Sequence, residues 1–160
     1  MPGMDQHAGH QGSATASRDS TRAFLGMMVD HHEGLIAMGD SARARATRSG
    51  TKADAHKLRD EQAAEQRRME TMLRRSYGGD SVQPKVLPSN QAMLDTLSRT
   101  SGAEYDRTFY RFVIAHHRQA IDMIDQALPH LTPDVRRMAS GMRAKQLREI
   151  AQLERKVRAS

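Results

Sequence analysis

The sequence contains two similar segments: residues 24–38 read FLGMMVDHHEGLIAM, and residues 109–123 read FYRFVIAHHRQAIDM. Aligned, they share a phenylalanine, a pair of adjacent histidines, an isoleucine and a final methionine at identical spacing. In both stretches the apolar residues recur every three or four positions, which is the period of an amphipathic α-helix. The sequence therefore contains a duplicated helical segment with a histidine pair at its centre.

Capping and breaking residues predict the helices of the first half. A first helix is expected from Asp19 or Ser20 to about Arg48, before Gly50. A second helix, capped by Thr51, is expected to end near residue 77, where two glycines follow. Residues 78–89 contain two prolines and form a linker between the two halves.

The second half has the same kind of signals. A short helix is expected over residues 89–99 and a long helix over residues 103–128, which Pro129 ends. Thr132, Pro133 and Asp134 then form a strong start signal for a last helix that continues to about residue 157.

The duplication extends over whole hairpins, because Gln146 and Glu149 match Gln62 and Glu65 at a constant offset. Two amphipathic hairpins cannot bury their apolar faces alone, but they can bury them against each other. The sequence therefore predicts an all-α four-helix bundle built from two repeated helical hairpins, residues 19–77 and 90–158, in a single domain over residues 19–158.

Residues 1–18 are rich in glycine, serine, alanine, histidine and glutamine and have no apolar periodicity, so they are predicted to be a disordered tail. Within this tail Met4, His7 and His10 lie at intervals of three, and as a flexible segment they could collect metal ions. The chain opens without the apolar segment of a secretory signal peptide, so we expect either a cytosolic protein or one whose signal peptide has been removed.

The composition limits the classes of function. No run of about 18 apolar residues occurs, so no membrane-spanning helix is expected. The net charge of +6 comes mostly from arginines scattered along helix faces, without a nucleic-acid-binding motif, and indicates a solvated basic surface with no nucleic-acid partner. An acidic partner or an anionic membrane surface stays open. Eleven methionines and eight histidines without a cysteine resemble the ligand set of copper-handling proteins outside the cytoplasm.

The histidines are expected to face the core together with sulfur and carboxylate groups. Met27 and Met28 lie one helical turn before His31 and His32, so each helix could offer a chelate. Counting residues from the hairpin turns places a glutamate of the partner helix at the level of each histidine pair. The candidate ligands from this reasoning are His31, His32, Met27, Met28, Met38 and Glu65 in the first half, and His116, His117, Met123 and Glu149 in the second.

Several uses of these groups are open. Each glutamate could simply accept a hydrogen bond from a buried histidine in a non-metal scaffold or interaction module. Imidazole with thioether suits Cu(I), although another transition metal is possible. A di-iron site lacks the usual Glu-x-x-His motif, and no motif of a hydrolase is present. Glu65 and Glu149 as a general acid–base pair, or a redox enzyme with a metal in the bundle, remain alternatives to a protein that is not an enzyme.

The pattern Phe-x-x-Met-x-x-x-His-His-x-x-x-Ile-x-Met, followed one hairpin later by Gln-x-x-Glu, resembles the DUF305 family of bacterial proteins. The segment from Ser101 to Asp106 is similar to the family's entry into its histidine helix. The resemblance covers roughly residues 20–75 and 90–155.

The DUF305 resemblance implies a ferritin-like four-helix bundle, export from the cytoplasm to the periplasm, envelope or exterior, and binding of Cu(I) or Ag(I) by methionine and histidine. In the second half Phe112 and Leu153 replace expected methionines, so that half would be the poorer metal site. The oligomeric state stays open. By position the family's ligands fall on Met27, Met28, His31, His32 and Met38, and on His116, His117 and Met123.

Overall fold

Four long helices form the predicted all-α four-helix bundle. The computed structural model describes residues 7–79 and 82–160. Two antiparallel hairpins, α1–α2 and α4–α5, pack against each other, and a short helix, α3, lies across α1 and α4. A 3₁₀ turn, Leu128–His130, joins the last two helices. The helices are α1 (His7–Arg45), α2 (Ser49–Ser76), α3 (Pro88–Ser98), α4 (Gly102–Ala127) and α5 (Pro133–Ala159).

Helices α1 and α4 lie antiparallel at the centre of the bundle. Near the end of α1, Ser41 and the Tyr105 hydroxyl at the start of α4 are 2.6 Å apart. Near the other end, the backbone N–H of Thr132, which follows α4, donates to the Thr21 hydroxyl of α1 at 2.9 Å. Because each histidine pair lies near the middle of its helix, this antiparallel packing brings the two pairs to the same level.

Each hairpin turn is held by a side chain of the other hairpin. The prediction that Thr51 caps the second helix is wrong, because α2 begins at Ser49 and Thr51 is buried in its first turn. The carboxylate of Asp106 in α4 instead accepts the backbone N–H groups of Thr47 and Arg48 at 2.7 and 3.0 Å. The bond from Thr132 to Thr21 holds the α4–α5 turn in the same way. These contacts join the two halves at both ends.

The predicted disordered tail is wrong for residues 7–18, which form the beginning of α1. Adding turns to an existing helix costs little, since only the first turn must be nucleated. The side chains of residues 12–16 are exposed to solvent. At residue 18 the helix contacts the end of α2, where the Arg18 guanidinium lies 5.0 Å from the centre of the Tyr77 ring.

Helix α3 docks on α1 through a close approach at Gly34. The side chain of Asn90 in α3 is fully buried at this point. A Cβ atom added to Gly34 would lie 2.7 Å from the Asn90 Cβ, so no other residue fits without moving α3. Before α3, the backbone N–H of Lys85 donates to the Asp30 carboxylate at 3.1 Å. Together these contacts keep the inter-hairpin segment on the surface of α1.

The core consists of two apolar clusters, one on each side of the histidine level. One contains residues of α1 that follow the histidines, such as Leu35 and Met38, packed on Tyr105 and Phe109. The other contains residues that precede them, including Met28. All four paired histidines are buried between the clusters, as predicted. Within residues 7–79 and 82–160, no helix has the length and apolar character to cross a membrane.

Candidate metal centre

The first histidine of each pair meets its counterpart at the centre of the bundle. The rings of His31 in α1 and His116 in α4 are stacked, with centroids 3.7 Å apart and planes tilted by 23°. Successive residues of a helix differ by 100° in direction, so the second histidine of each pair points elsewhere, toward the partner helix of its own hairpin. The two pairs therefore form one polar layer that crosses the bundle.

Hydrogen bonds fix which nitrogen of the stacked rings carries the proton. The Nε2–H of His116 donates to the backbone carbonyl of His31 at 2.6 Å. The Nε2–H of His31 donates to the side-chain oxygen of Gln119 at 3.3 Å. The Nδ1 atoms of both rings are buried and have no hydrogen-bond partner among the described residues. Each ring thus directs one free nitrogen into the core.

Both stacked histidines are neutral near pH 7. Burial, followed by the proximity of the His32 imidazole, lowers the pKa of His31 from 6.5 to about 3. Burial and the proximity of His31 lower the pKa of His116 well below its usual value. With Nε2 carrying the proton, each Nδ1 has an available lone pair. An unprotonated imidazole nitrogen is the form that binds a metal ion.

His32, by contrast, has a partner for each nitrogen. Its Nδ1–H donates to the Met28 carbonyl at 2.9 Å, and its Nε2 lies 2.9 Å from the Glu65 carboxylate. Burial alone would raise the pKa of Glu65, but hydrogen bonds from His32 and Lys145 outweigh it and lower the pKa to about 2. The hairpin geometry correctly predicted that Glu65 reaches the histidine level, where it forms a hydrogen bond with His32.

His117 has the same carboxylate neighbour in the other hairpin but is bonded less well. Its Nε2 lies 2.7 Å from Glu149 Oε2, yet the angle is not that of a hydrogen bond, and its Nδ1 also has no partner among the described residues. Burial would raise the pKa of Glu149, but the neighbouring His117 and Lys145 lower it. The two halves therefore share a His–Glu contact of unequal quality.

Lys145 joins the two carboxylates, and it was missed in the sequence. Its Nζ lies 2.9 Å from Glu65, 3.3 Å from Glu61 and 3.9 Å from Glu149. Burial would lower its pKa, but the bond to Glu65 and the nearby carboxylates raise it. The sequence did contain an indication of this residue, because Lys145 occupies the repeat position of Glu61 and has the opposite charge. Gln119, the partner of His31, replaces Gly34 of the first half and carried no such signal.

The methionines lie in different environments. Met28 and Met38 are fully buried, in the two apolar clusters on opposite sides of the histidine layer. Met123 is half-buried against the cluster that contains Met28. The prediction that Met27 faces the core with His31 is wrong, because its side chain is 55% exposed. Met27 lies four residues before His31, and four residues of a helix rotate by a full turn plus about 40°. This rotation directs the Met27 side chain into an open surface groove beside Asp30 and Val82.

The predicted ligands of the tail are not placed by the structure. Met4 lies outside the described residues. His7 and His10 occupy helical positions of α1, but their side chains are likewise outside the described part. Their suggested role as metal collectors stays a prediction.

The donors of this layer fit a soft ion of low coordination number better than a hard one. Within the described residues, no three His, Asp or Glu side chains are grouped so as to hold one ion, which is what a carboxylate-rich di-iron site needs. Two unprotonated imidazole nitrogens flanked by buried thioethers are instead the donor types that Cu(I) prefers. Since the lone pairs lie in the planes of two stacked rings, one ring must turn before both nitrogens contact a single ion.

Several solved structures share the fold of this chain. A DUF305 fragment from Deinococcus radiodurans is 23% identical and matches with a TM-score of 0.78, over 88% of this chain and 97% of that one. CopM in its Cu(I)-bound form is 24% identical, with a TM-score of 0.73 over 87% and 96% of the two chains. A predicted secreted DUF305 protein from Streptomyces coelicolor is 20% identical, with a TM-score of 0.72 over 88% and 89%.

No curated protein sequence matches the chain. The family model described as "Domain of unknown function (DUF305)" matches twice, over residues 1–73 and 22–157. These matches cover both histidine pairs and both hairpins. The chain therefore belongs to the DUF305 family.

Proposed function

We propose that this protein binds Cu(I) or Ag(I) outside the cytoplasm and acts by holding the ion, without catalysing a reaction. The observation that carries the proposal is the pair of buried, unpartnered Nδ1 atoms of His31 and His116. Leaving a polar atom buried without a partner costs about 1–3 kcal/mol. A bound ion would offset that cost at both nitrogens.

His31 and His116 are the residues that would hold the ion, with Met28 and Met38 as the nearest buried sources of sulfur along α1. A copper(I) ion in such a site is a soft Lewis acid that accepts these lone pairs directly. Because both imidazoles are already neutral at pH 7, these nitrogens lose no proton on binding. The surrounding apolar clusters would keep the ion away from water.

The relatives support the proposal at the level of fold. CopM has been solved in Cu(I)-bound, Cu(II)-bound and Ag-bound forms, all with 23–24% identity to this chain. The Streptomyces coelicolor relative supports a location outside the cytoplasm. The absence of cysteine is compatible with that location, since thioethers and imidazoles do not form disulfides.

A Cu(I) titration against a competing chelator, under anaerobic conditions, tests the proposal. We expect His31→Gln and His116→Gln each to weaken Cu(I) binding by about tenfold or more, in the range found when a metal site loses a supporting group. His56→Gln is the matched control, because His56 is an exposed histidine of α2. Circular dichroism checks that each variant is folded. Unchanged affinity in both folded core variants would exclude this site.

A second function, a helical scaffold with structural histidines, is favoured by one observation. Both nitrogens of His32 are bonded, to Met28 and to Glu65, so this ring has no free lone pair for an ion. If the His31 and His116 variants lose stability but bind Cu(I) like the parent protein, this second function explains the histidine layer better.

A further inference from the structure

A basic cavity lies between α2 and α5, on the side of the bundle away from α3. It has a volume of about 320 Å³, which lies in the range of small-ligand sites. Four cationic side chains line it, Arg68 of α2 and Arg137, Lys145 and Arg148 of α5, against one carboxylate, Glu65. Most arginines of this chain are scattered over the surface, whereas these four cationic side chains from two helices line the same cavity.

The three arginines have no anionic partner within the protein. Among residues 7–79 and 82–160, none of Arg68, Arg137 and Arg148 forms an ion pair or a side-chain hydrogen bond, and all three are exposed at the mouth of the cavity. The carboxylate of Glu65 is already bonded to His32 and Lys145, so it does not neutralise them. The cavity therefore keeps an excess of positive charge.

The part of the cavity wall that α5 contributes includes a glycine with open space beside it. Gly141 lines the cavity, and a Cβ atom added there would have no neighbour within 4 Å. The backbone and the apolar parts of Met138 and Met142 form the rest of this surface. A small anion can thus approach the helix closely while guanidinium groups surround it.

We propose that this cavity binds a phosphate group, either of a free multivalent phosphate or of an anionic lipid headgroup. Guanidinium groups form paired hydrogen bonds to phosphate oxygens, and three of them can contact different oxygens of one ligand. The excess positive charge would repel a free metal cation, so this site is separate from the proposed copper site. Its ligand would contact the three arginines, because Lys145 is already paired with Glu65 and Glu61.

Calorimetric titration of the metal-free protein with pyrophosphate tests the free-phosphate source. We expect saturable binding that Arg68→Gln or Arg137→Gln weakens by about tenfold, the usual loss of one charge-assisted phosphate contact. Arg67→Gln is the matched control, since Arg67 is an exposed arginine of the same helix that does not line the cavity. It should bind pyrophosphate like the parent protein.

Co-sedimentation with vesicles tests the lipid source. Binding to vesicles that contain phosphatidylglycerol, but not to vesicles of phosphatidylcholine alone, would support the site if it falls in the Arg137→Gln variant and not in the Arg67→Gln variant. Binding to neither probe would overturn the proposal. Equal weakening in the Arg67→Gln control would also overturn it, because that result shows only the effect of net charge. Copper binding plays no part in either readout.

Discussion

At the level of single residues, the sequence predicts that the histidines are buried but not which of their ring nitrogens are hydrogen-bonded. His31 and His32 are neighbours with opposite environments: one ring has a free buried nitrogen, and the other is bonded at both. The difference arises because residues one step apart on a helix face different partner helices. Only the packing of α1 against α4 shows that His31 meets His116.

The neutral state of the stacked histidines predicts a pH dependence of stability. The folded protein keeps His31 unprotonated down to about pH 3, whereas the unfolded chain protonates it near pH 6.5. The unfolded state therefore binds more protons in this window, and stability falls as the pH falls from 6.5 to about 3. Each such histidine contributes a slope of about 1.4 kcal/mol per pH unit.

Urea unfolding of the metal-free protein at several pH values measures this slope. The His31→Gln variant should show a shallower decline than the parent protein between pH 6.5 and 4, since it lacks one of the titrating rings. His130→Gln, at an exposed histidine of the α4–α5 connection, should leave the slope unchanged. Equal slopes in the parent protein and the His31→Gln variant would contradict a buried neutral histidine.

At the scale of elements, helix boundaries were predicted well where local chemistry sets them and poorly where it does not. The start of α5 after Thr132 and the end of α4 near Leu128 follow from prolines in the sequence. The extension of α1 to His7 follows from continuing a helix that the bundle already stabilises. The cap of the α1–α2 turn comes from Asp106, distant in sequence, and no local pattern indicates it.

The docking of α3 on α1 predicts opposite changes in stability for two glycine-to-alanine substitutions in α1. Gly34→Ala places a methyl group against the Asn90 Cβ and should destabilise the protein by about 1–3 kcal/mol, the usual cost of overpacking. Gly26→Ala, in the same helix, has no neighbour within 4 Å of the new methyl group. This matched control should stabilise the protein by about 0.5–1 kcal/mol, because alanine favours helix over glycine.

Chemical denaturation of both glycine variants provides the comparison. If Gly34→Ala proves as stable as Gly26→Ala, α3 does not rest on Gly34 in solution. If α3 merely detaches, the unfolding free energy of the bundle changes little, but amide exchange in residues 88–98 becomes faster.

At the scale of the whole molecule, corresponding contacts recur in the two halves. Asp40 pairs with Arg59 in the first hairpin, and Asp125 pairs with Arg143 in the second. The correspondence fails at Lys145, whose counterpart is Glu61. That charge reversal lets one cation neutralise carboxylates from both hairpins, so α2 and α5 attract each other across the bundle.

Removing this cation should weaken the contact between the hairpins. Lys145→Met leaves Glu61, Glu65 and Glu149 without their shared partner, and we expect the unfolding free energy to fall by about 1–2 kcal/mol, a value reduced by partial solvent screening. Added salt should lessen the loss. Lys52→Met, at an exposed lysine of α2, is the control. A loss no greater than that of the control would show that Lys145 does not link the halves.

The amino-acid sequence alone is enough to predict the helical class, the two hairpins, the burial of the histidine pairs and the approach of Glu65 and Glu149 to them. These features follow from a 3.6-residue period and a fixed rise per residue, which are local properties of the chain. Three features emerge only from the folded protein: His31 stacks on His116, Met27 faces solvent and Lys145 joins the halves. Those features depend on the rotation of one helix against another, which the packing of the whole core sets and no single segment encodes.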